Sequence, residues 1–522
     1  MGVLRRSAKM RPSQKDIDEC VRVLEALAED RAELLNVAVE MRHRLLTAAG
    51  RVSRPERSEQ RQLLRAARRK DKRQARAHDE ALLGRAQIGQ KRLEPVFVTP
   101  DPVELAAAAG GEFAANVAAE SPRPDSDPPL HVPRACYVCK TRITRTHSFY
   151  DQMCGDCGDF NYRKRTQTAD LRGRVALISG ARVKIGYQAA IMLLRAGARV
   201  LVTTRFPRDA AERYAREKDY AAWGDRLQIY GLDLRHTPSV EAFAKQLCDT
   251  ELRLDFVLHN ACQTVRRPSG FYQHLMGREL LPHASLPEPA RRLLTAYEQM
   301  RARTARSLSD VSAESPLFPL GLQAAPSLSQ VALVDDDRRG GSQLFPTGQL
   351  DQDLQQVDLR DVNSWRLPLE QVGTVELLEV QLVNAIAPFV LNARLKPLLL
   401  RERTFDKHIV NVSAMEGQFY RRFKTDKHPH TNMAKAALNM MTRTSAVDYA
   451  KDGIFMNSVD TGWVTDEDPH HIAQRKTEAC GFHPPLDIVD GAARIVDPIF
   501  DGINSGKHAW GQFLKDYRPT AW

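Results

Sequence analysis

The cysteines carry the most direct chemical signal. "CYVCKTRITRTHSFYDQMCGDC" places Cys136 and Cys139, then Cys154 and Cys157, each pair with two residues between its members. A CxxC lets two thiolates converge from one tight turn, and Gly155 and Gly158 give the second turn its backbone freedom. Four thiolates complete a tetrahedral S4 site suited to Zn²⁺ and leave no open position for a reactive water. The spacing therefore predicts a structural zinc, not a catalytic one. The remaining four of the eight cysteines are scattered, which fits a reducing, cytoplasmic setting better than a disulfide framework.

A second signal opens after Leu171. "RVALISGARVKIGYQAAIMLLRAGARVLVTTR" reads as strand, glycine-containing turn, helix, strand, a βαβ unit that starts a parallel sheet. Glycines in such a turn let the backbone approach a pyrophosphate, whose charge then lies on a helix N-terminus. The expected fold class is α/β, a Rossmann-type doubly wound parallel sheet with an insertion. An α-helical region and a small zinc module precede it.

From this turn onward the chain resembles the short-chain dehydrogenase/reductase family, over 171–265 and 370–522. "SGARVKIG" resembles the family's TGxxxGxG turn: Ser179, Gly180 and Gly186 match, Arg182 and Ile185 lie within it, and Lys184 replaces the middle glycine. Asp233 in "LDL" stands where the family sets an aspartate against adenine. Asn260 and Ala261 in "LHNACQT" match the segment after the fourth strand. Asn384, Ser413 and Lys435 fall at the active-site asparagine, serine and lysine, and Thr465 takes the role of the threonine that caps nicotinamide and phosphate. The resemblance implies that asparagine anchors a water relay, serine binds the substrate oxygen, and lysine holds the ribose.

The tyrosine expected four residues before that lysine is Thr431. An aliphatic hydroxyl is a far weaker acid than a phenol near pKa 10, so either another group supplies the proton or the substrate, such as an activated double bond or an iminium, needs no strong protein acid. Tyr420, His428 and His430 all lie in the long stretch between Ser413 and Lys435, and the loop can fold Tyr420 back into the site. Arg205 ends the second strand, with Arg182 and Lys184 in the neighbouring turn. That charge favours NADP(H), whose 2′-phosphate needs a basic partner, over NAD(H). The function expected is an NADP(H)-dependent oxidoreductase moving hydride to or from a carbonyl or activated double bond of a small molecule. The alternative is a non-catalytic NADP(H)-binding sensor or scaffold acting through its helical and zinc modules.

These groups need positioning elements. Residues 1–95 form a basic helical region, 96–133 a Pro/Ala/Ser-rich flexible linker, 134–166 the zinc module, and 167–522 the dinucleotide domain with an insertion at 266–370. Ser13 and Asp16 form a capping box for one amphipathic helix running from Ile17 to near Gly50. A second, strongly basic helix follows. Residues 1–95 carry 23 Lys/Arg against 14 Asp/Glu, most of the net charge of +11, so an electrostatic partner belongs at this end. Two helices bury little alone, which points to a protein partner or a homo-oligomer. Nucleic acid is the less favoured partner, because the basic run lacks aromatic side chains. Apolar content of 43% and charged content of 27% fit a globular chain. "MGVLRRSAKM" has no hydrophobic signal region, and no apolar run is expected to reach the roughly 18 residues a bilayer requires, so no membrane partner is expected.

Overall fold

The computed structural model describes residues 12–102, 128–309, 320–338, 341–420 and 424–522. They fall into two compact units, Met1–Ala77 and His78–Trp522.

In the first unit, α1 is Gln14–Glu29, α2 is Val39–Ser53, and α3 is Arg57–Leu83, which runs on into the second unit. The Ser13/Asp16 capping box forms. The single helix expected up to Gly50 does not. Asp30 accepts a hydrogen bond from the Ala32 amide and restarts the chain as a 3₁₀ turn, Arg31–Asn36, because a short carboxylate side chain competes for local backbone donors.

The second unit is built on an eight-stranded sheet. Its strands are β3 (Val175–Ser179), β4 (Arg199–Thr204), β5 (Leu227–Gly231), β6 (Phe256–His259), β7 (Lys407–Ser413), β8 (Ile454–Asp460), β9 (Phe513–Lys515) and β10 (Arg518–Thr520). They lie in the order β10-β9-β8-β7-β6-β3-β4-β5, parallel throughout except for the β9–β10 pair. Strands such as "VALIS" are buried along their whole length, as a sheet covered on both faces requires. Because β3 pairs with both β4 and β6, the chain's winding reverses there. The crevice beyond the C-terminal ends of β3 and β6 is where ligands bind in open α/β sheets.

Two strands precede the sheet: β1 (Arg134–Ala135) and β2 (Arg142–Ile143) form a short antiparallel hairpin that brackets the first CxxC. The second CxxC opens α4 (Gly155–Thr166), with Cys154 at its N-cap. This module packs on the dinucleotide domain. Ile143, Phe149, Tyr150 and Met153 share a small core with Ile88 and Leu486. Helix α5 (Lys184–Arg195) and the C-terminal helix Ile488–Ser505 pack together on the sheet.

The expectation of a flexible linker over 96–133 is corrected at both ends. The Thr99 hydroxyl, 9% exposed, donates to Glu217, and Asp79 accepts the amides of His131 and Val132. Residues 103–127, the middle of that segment, lie outside the described residues. Also corrected is the expectation that no segment is long and apolar enough to cross a membrane, because Thr374–Leu399 is. In this fold the segment carries Asn384 and buries Leu391, Leu395 and Leu398 in the main core, while Leu378, Ile386 and Phe389 stay exposed.

Candidate dinucleotide and catalytic site

The turn after β3 is held by close contacts. Gly180 has φ +69°, and a Cβ there would lie 2.6 Å from Ala261 Cα. The Asn260 side-chain amide donates to the Gly180 carbonyl at 2.9 Å, and the Ala261 amide donates to Ser179 Oγ at 3.2 Å. Ile185 packs on Gly491, and Gly186 leaves no room for a Cβ beside Asn260. Lys184, at the missing glycine, adopts φ +57°, the left-handed conformation that glycine reaches without strain. Burial acts to lower its pKa, but the carboxylates of Glu467, Asp353 and Asp351 outweigh this and raise it. Backbone amides open α5 with Lys184 beside them, the arrangement that helix N-termini use to bind anions.

Beyond β4, Arg205 donates to the Tyr272 hydroxyl at 2.7 Å, while Arg182 pairs with Asp209 at 2.7 Å. Burial pushes the Tyr272 phenol up, and the guanidiniums of Arg205, Arg267 and Arg182 bring it below its ordinary value. Asp233 lies deeper, 1% exposed, and its carboxylate is taken by Arg235. A buried chain of charges continues from there through Glu379 and Arg266 to Asp337 in the insertion, with contacts of 2.6–3.0 Å. The Asp233 amide also donates to Gly321 of the insertion. The aspartate expected to face adenine is thus already partnered within the chain.

At the end of β7, the Ser413 hydroxyl is buried and has no hydrogen-bond partner among the described residues, and the same holds for Thr431 Oγ1. Lys435 Nζ donates to the Val412 carbonyl at 2.7 Å, which draws the ammonium to the strand that ends in Ser413. Asn384 sits in a π-helical turn, Leu382–Ile386, and accepts the Gln263 amide at 2.7 Å. Such turns break the regular hydrogen-bond ladder and recur at functional sites.

The three proton-donor candidates separate. Tyr420 is 92% exposed, so the expectation that its loop folds the phenol back beside Ser413 is corrected: among the described residues the ring stays open to solvent. His428 is stacked on Trp365, ring centroids 3.8 Å apart, and burial lowers its pKa. His430 is 1% exposed on the helix Pro429–Lys451, with Nε2 at 3.5 Å from the Glu376 carboxylate, a Coulombic contact longer than a hydrogen bond. The Glu376 carboxyl is pushed up by burial, but its interactions with His430 and Ser364 leave it below its ordinary range.

Thr465 donates to Glu467 at 2.7 Å in the loop after β8. Asp460, the last residue of β8 and the Cα partner of Ser413, accepts the amides of Met415 and Gly462, each at 2.8 Å, and so ties the serine loop to this one. Sequence reasoning missed Glu376, Arg235 and Glu379, of which only Arg235, two residues after Asp233, left a local signal; Asp460 was visible as the residue standing where the family has proline.

The four cysteine sulfurs all lie within 4.8 Å of one another, a group able to hold a metal ion. Burial and the neighbouring sulfurs raise the Cys154 and Cys157 thiols, while the Thr141 hydroxyl and amide lower Cys139 to about 6. Four sulfurs this close cannot all ionise without a cation between them, so the donor set fits a metal such as zinc.

A sheet that reverses its winding beside a glycine-bearing turn, with serine and lysine at the neighbouring strand end, defines a dinucleotide-binding domain of the oxidoreductase class. A family model described as short chain dehydrogenase matches residues 174–274, and one described as Enoyl-(Acyl carrier protein) reductase matches residues 365–481. The C-terminal part of the chain is a domain of the short-chain dehydrogenase/reductase family, of the NAD(P)-dependent oxidoreductase type. An uncharacterized protein of Acanthamoeba polyphaga mimivirus is 29% identical over 400 residues, 73% of this chain and 74% of that one. Dehydrogenase/reductase SDR family member 13 of Bos taurus is 36% identical over 125 residues, 23% of this chain and 33% of the relative, so the chain spans a third of that relative's length. The Pseudomonas aeruginosa RhlG/NADP active-site complex matches 66% of this chain and 95% of its own at 18% identity, with a TM-score of 0.41.

Proposed function

We propose that the domain is an NADP(H)-dependent oxidoreductase acting on a carbonyl or activated double bond of a small molecule, with His430 as proton donor in place of the absent tyrosine. The observation that carries this reading is the buried, unpartnered Ser413 hydroxyl at a strand end. A buried hydroxyl left unsatisfied costs about 1–3 kcal/mol, a cost relieved when a substrate oxygen accepts its proton. The bound cofactor would supply or take up the hydride. Ser413 orients the substrate oxygen, Lys435 is drawn to the ribose side by its contact with Val412, and Asn384 is fixed by Gln263. His430 suits proton transfer because an imidazole can both give and take a proton, and its Nε2 lies 3.5 Å from the Glu376 carboxylate. Arg205, with Arg182 and Arg267 nearby, supports the choice of NADP(H), since a 2′-phosphate would join three guanidiniums gathered around one phenol. The four cysteines are assigned a structural Zn²⁺.

A second reading, a non-catalytic NADP(H)-binding sensor, is favoured by one contact. The Tyr137 phenol, inside the first CxxC, accepts the Trp463 amide at 3.0 Å in the cofactor-capping loop. Titration of purified protein with NADPH and NADH, followed by a carbonyl screen of wild type against Ser413→Ala, separates the readings. Turnover lost in Ser413→Ala with cofactor affinity retained supports the enzyme. Tight NADPH binding without turnover on any substrate supports the sensor, and no dinucleotide binding overturns both.

A further inference from the structure

The first unit leaves its apolar side chains in water. Among the described residues of α1, α2 and the 3₁₀ turn between them, none is buried. In α1, Ile17, Cys20, Val21, Leu24 and Leu27 recur at helical three- and four-residue spacing and make one stripe, yet Ile17, Val21 and Leu24 are 45%, 47% and 36% exposed. Leu63 and Leu64 on α3 are similarly open. The only buried residues of α3 are Asp79, Leu82 and Leu83, which belong to the second unit. A helix of 16 residues is marginal in water by itself. It needs a covering surface.

The charges of the two helices indicate what covers them. From Gln14 to Glu29 there are five acidic residues and two basic ones; from Arg57 to Ala77 there are nine basic residues and two acidic ones. We propose that two copies of the chain associate through these helices, the acidic α1 of each copy lying along the basic α3 of the other. A twofold pairing uses the same complementary faces twice and closes on itself. Leu24 and Ile17 meet Leu63 and Leu64 at its apolar centre, while the acidic and basic flanks fix the orientation. Nucleic acid is the poorer occupant for α3. The helix offers no aromatic side chain for stacking on bases.

The experiment is light scattering of the full-length protein across a concentration series at about 0.1 M and 0.5 M salt, where the Debye length falls from about 10 Å to about 4 Å. Three forms are compared: wild type; Ile17→Lys with Leu24→Lys; and Arg68→Glu with Arg69→Glu and Arg73→Glu. The apolar variant is expected to halve the wild-type mass. The charge-reversed variant is expected to weaken association at least tenfold at low salt, and Asp18→Lys with Glu25→Lys on α1 should restore it. NADPH binding, read on the same samples, checks that the second unit stays folded. A wild-type mass that neither variant lowers overturns the proposal, as does a monomer at every concentration. Salt-sensitive binding to a random-sequence DNA duplex that is lost in the Arg→Glu variant, without any change in mass, would reassign the surface to nucleic acid and also overturn it.

Discussion

Removing the Arg165 guanidinium tests whether the four-cysteine module is locked to the dinucleotide domain. Arg165, 2% exposed, makes two hydrogen bonds to Asp487 at 2.6 and 2.8 Å and lies 3.0 Å from Asp490 Oδ1, which also accepts the Tyr150 hydroxyl at 2.6 Å. In Arg165→Met the apolar stem still packs on Phe149, but the buried Asp490 and the largely covered Asp487 lose their nearest cation. Breaking a buried pair from one side costs about 3–5 kcal/mol. With an unfolding entropy of about 2.1 cal/mol/K per residue, a unit the size of His78–Trp522 loses roughly 3–5 °C in Tm. The pH dependence gives the sharper signature. Burial raises the Asp487 pKa, but Arg165 outweighs it and holds the group below its ordinary value. In the wild type this contribution is present above the unfolded pKa of about 3.9 and is lost only as pH falls through the lower folded value. Without Arg165, burial pushes both carboxyls up, so the variant's folded state takes up protons more readily than its unfolded chain. The deficit should therefore be full at pH 7.5 and shrink as pH falls toward about 4.5. Denaturant unfolding of both proteins at the two pH values measures it. A loss under about 1 kcal/mol at pH 7.5, or a loss equal at both pH values, would refute the reasoning.

Metal analysis of purified protein should find about one zinc per chain. Cys154→Ser should lose it and weaken NADPH binding as well, because Tyr137 and Val464 tie the module to the capping loop; retention of full metal in that variant counts against the site. Arg205→Ala should raise the NADPH Kd roughly tenfold to a hundredfold, the value of one charge-assisted contact, and leave NADH nearly unchanged in a fluorescence titration. If both cofactors weaken equally, Arg205 does not read the 2′-phosphate. His430→Gln should lower kcat by about 10²–10⁴-fold with the cofactor Kd unaltered. An unchanged kcat would return the proton to another donor.

What was legible in the sequence was local. The CxxC pairs place their own ligands, and the βαβ unit announces itself through runs such as "VALIS" and "VLVTT" that are buried on both faces. The Lys184 substitution was visible, but its consequence was not, because a left-handed lysine is supported by Asp351, Asp353 and Glu467 from segments far along the chain. Asp233 matched its motif, yet Glu379, Arg266 and Asp337, which occupy Arg235 and carry the charge chain onward, have no fixed spacing from it. Tyr420 failed for a related reason. Loop length allows a side chain to return, but only packing partners make it do so, and among the described residues the ring is left 92% exposed. Helix periodicity missed the break at Asp30 because one side-chain hydrogen bond outweighed an uninterrupted apolar stripe.

The two parts of this half of the chain that lie outside the family pattern, the cysteine module and the insertion, converge on one loop. Residues 461–468 follow β8 and carry Thr465. From the module, Tyr137 accepts the Trp463 amide; from the insertion, Asn363 donates to the Glu467 carbonyl and Arg366 pairs with Asp468 at 2.6 Å. From within the fold, Asp460 accepts the Gly462 amide and bridges to the serine loop through Met415. A loop pinned from three directions has already lost most of the conformational freedom that ligand binding would otherwise remove, and that entropy is then not subtracted from affinity. The same pins make the loop sensitive to remote change: loss of the metal, of Arg366 or of Asp460 each frees a different strut of one structure. The added parts are thus coupled to the proposed nucleotide site through this segment, and the insertion also through Arg267 and Tyr272 beside Arg205.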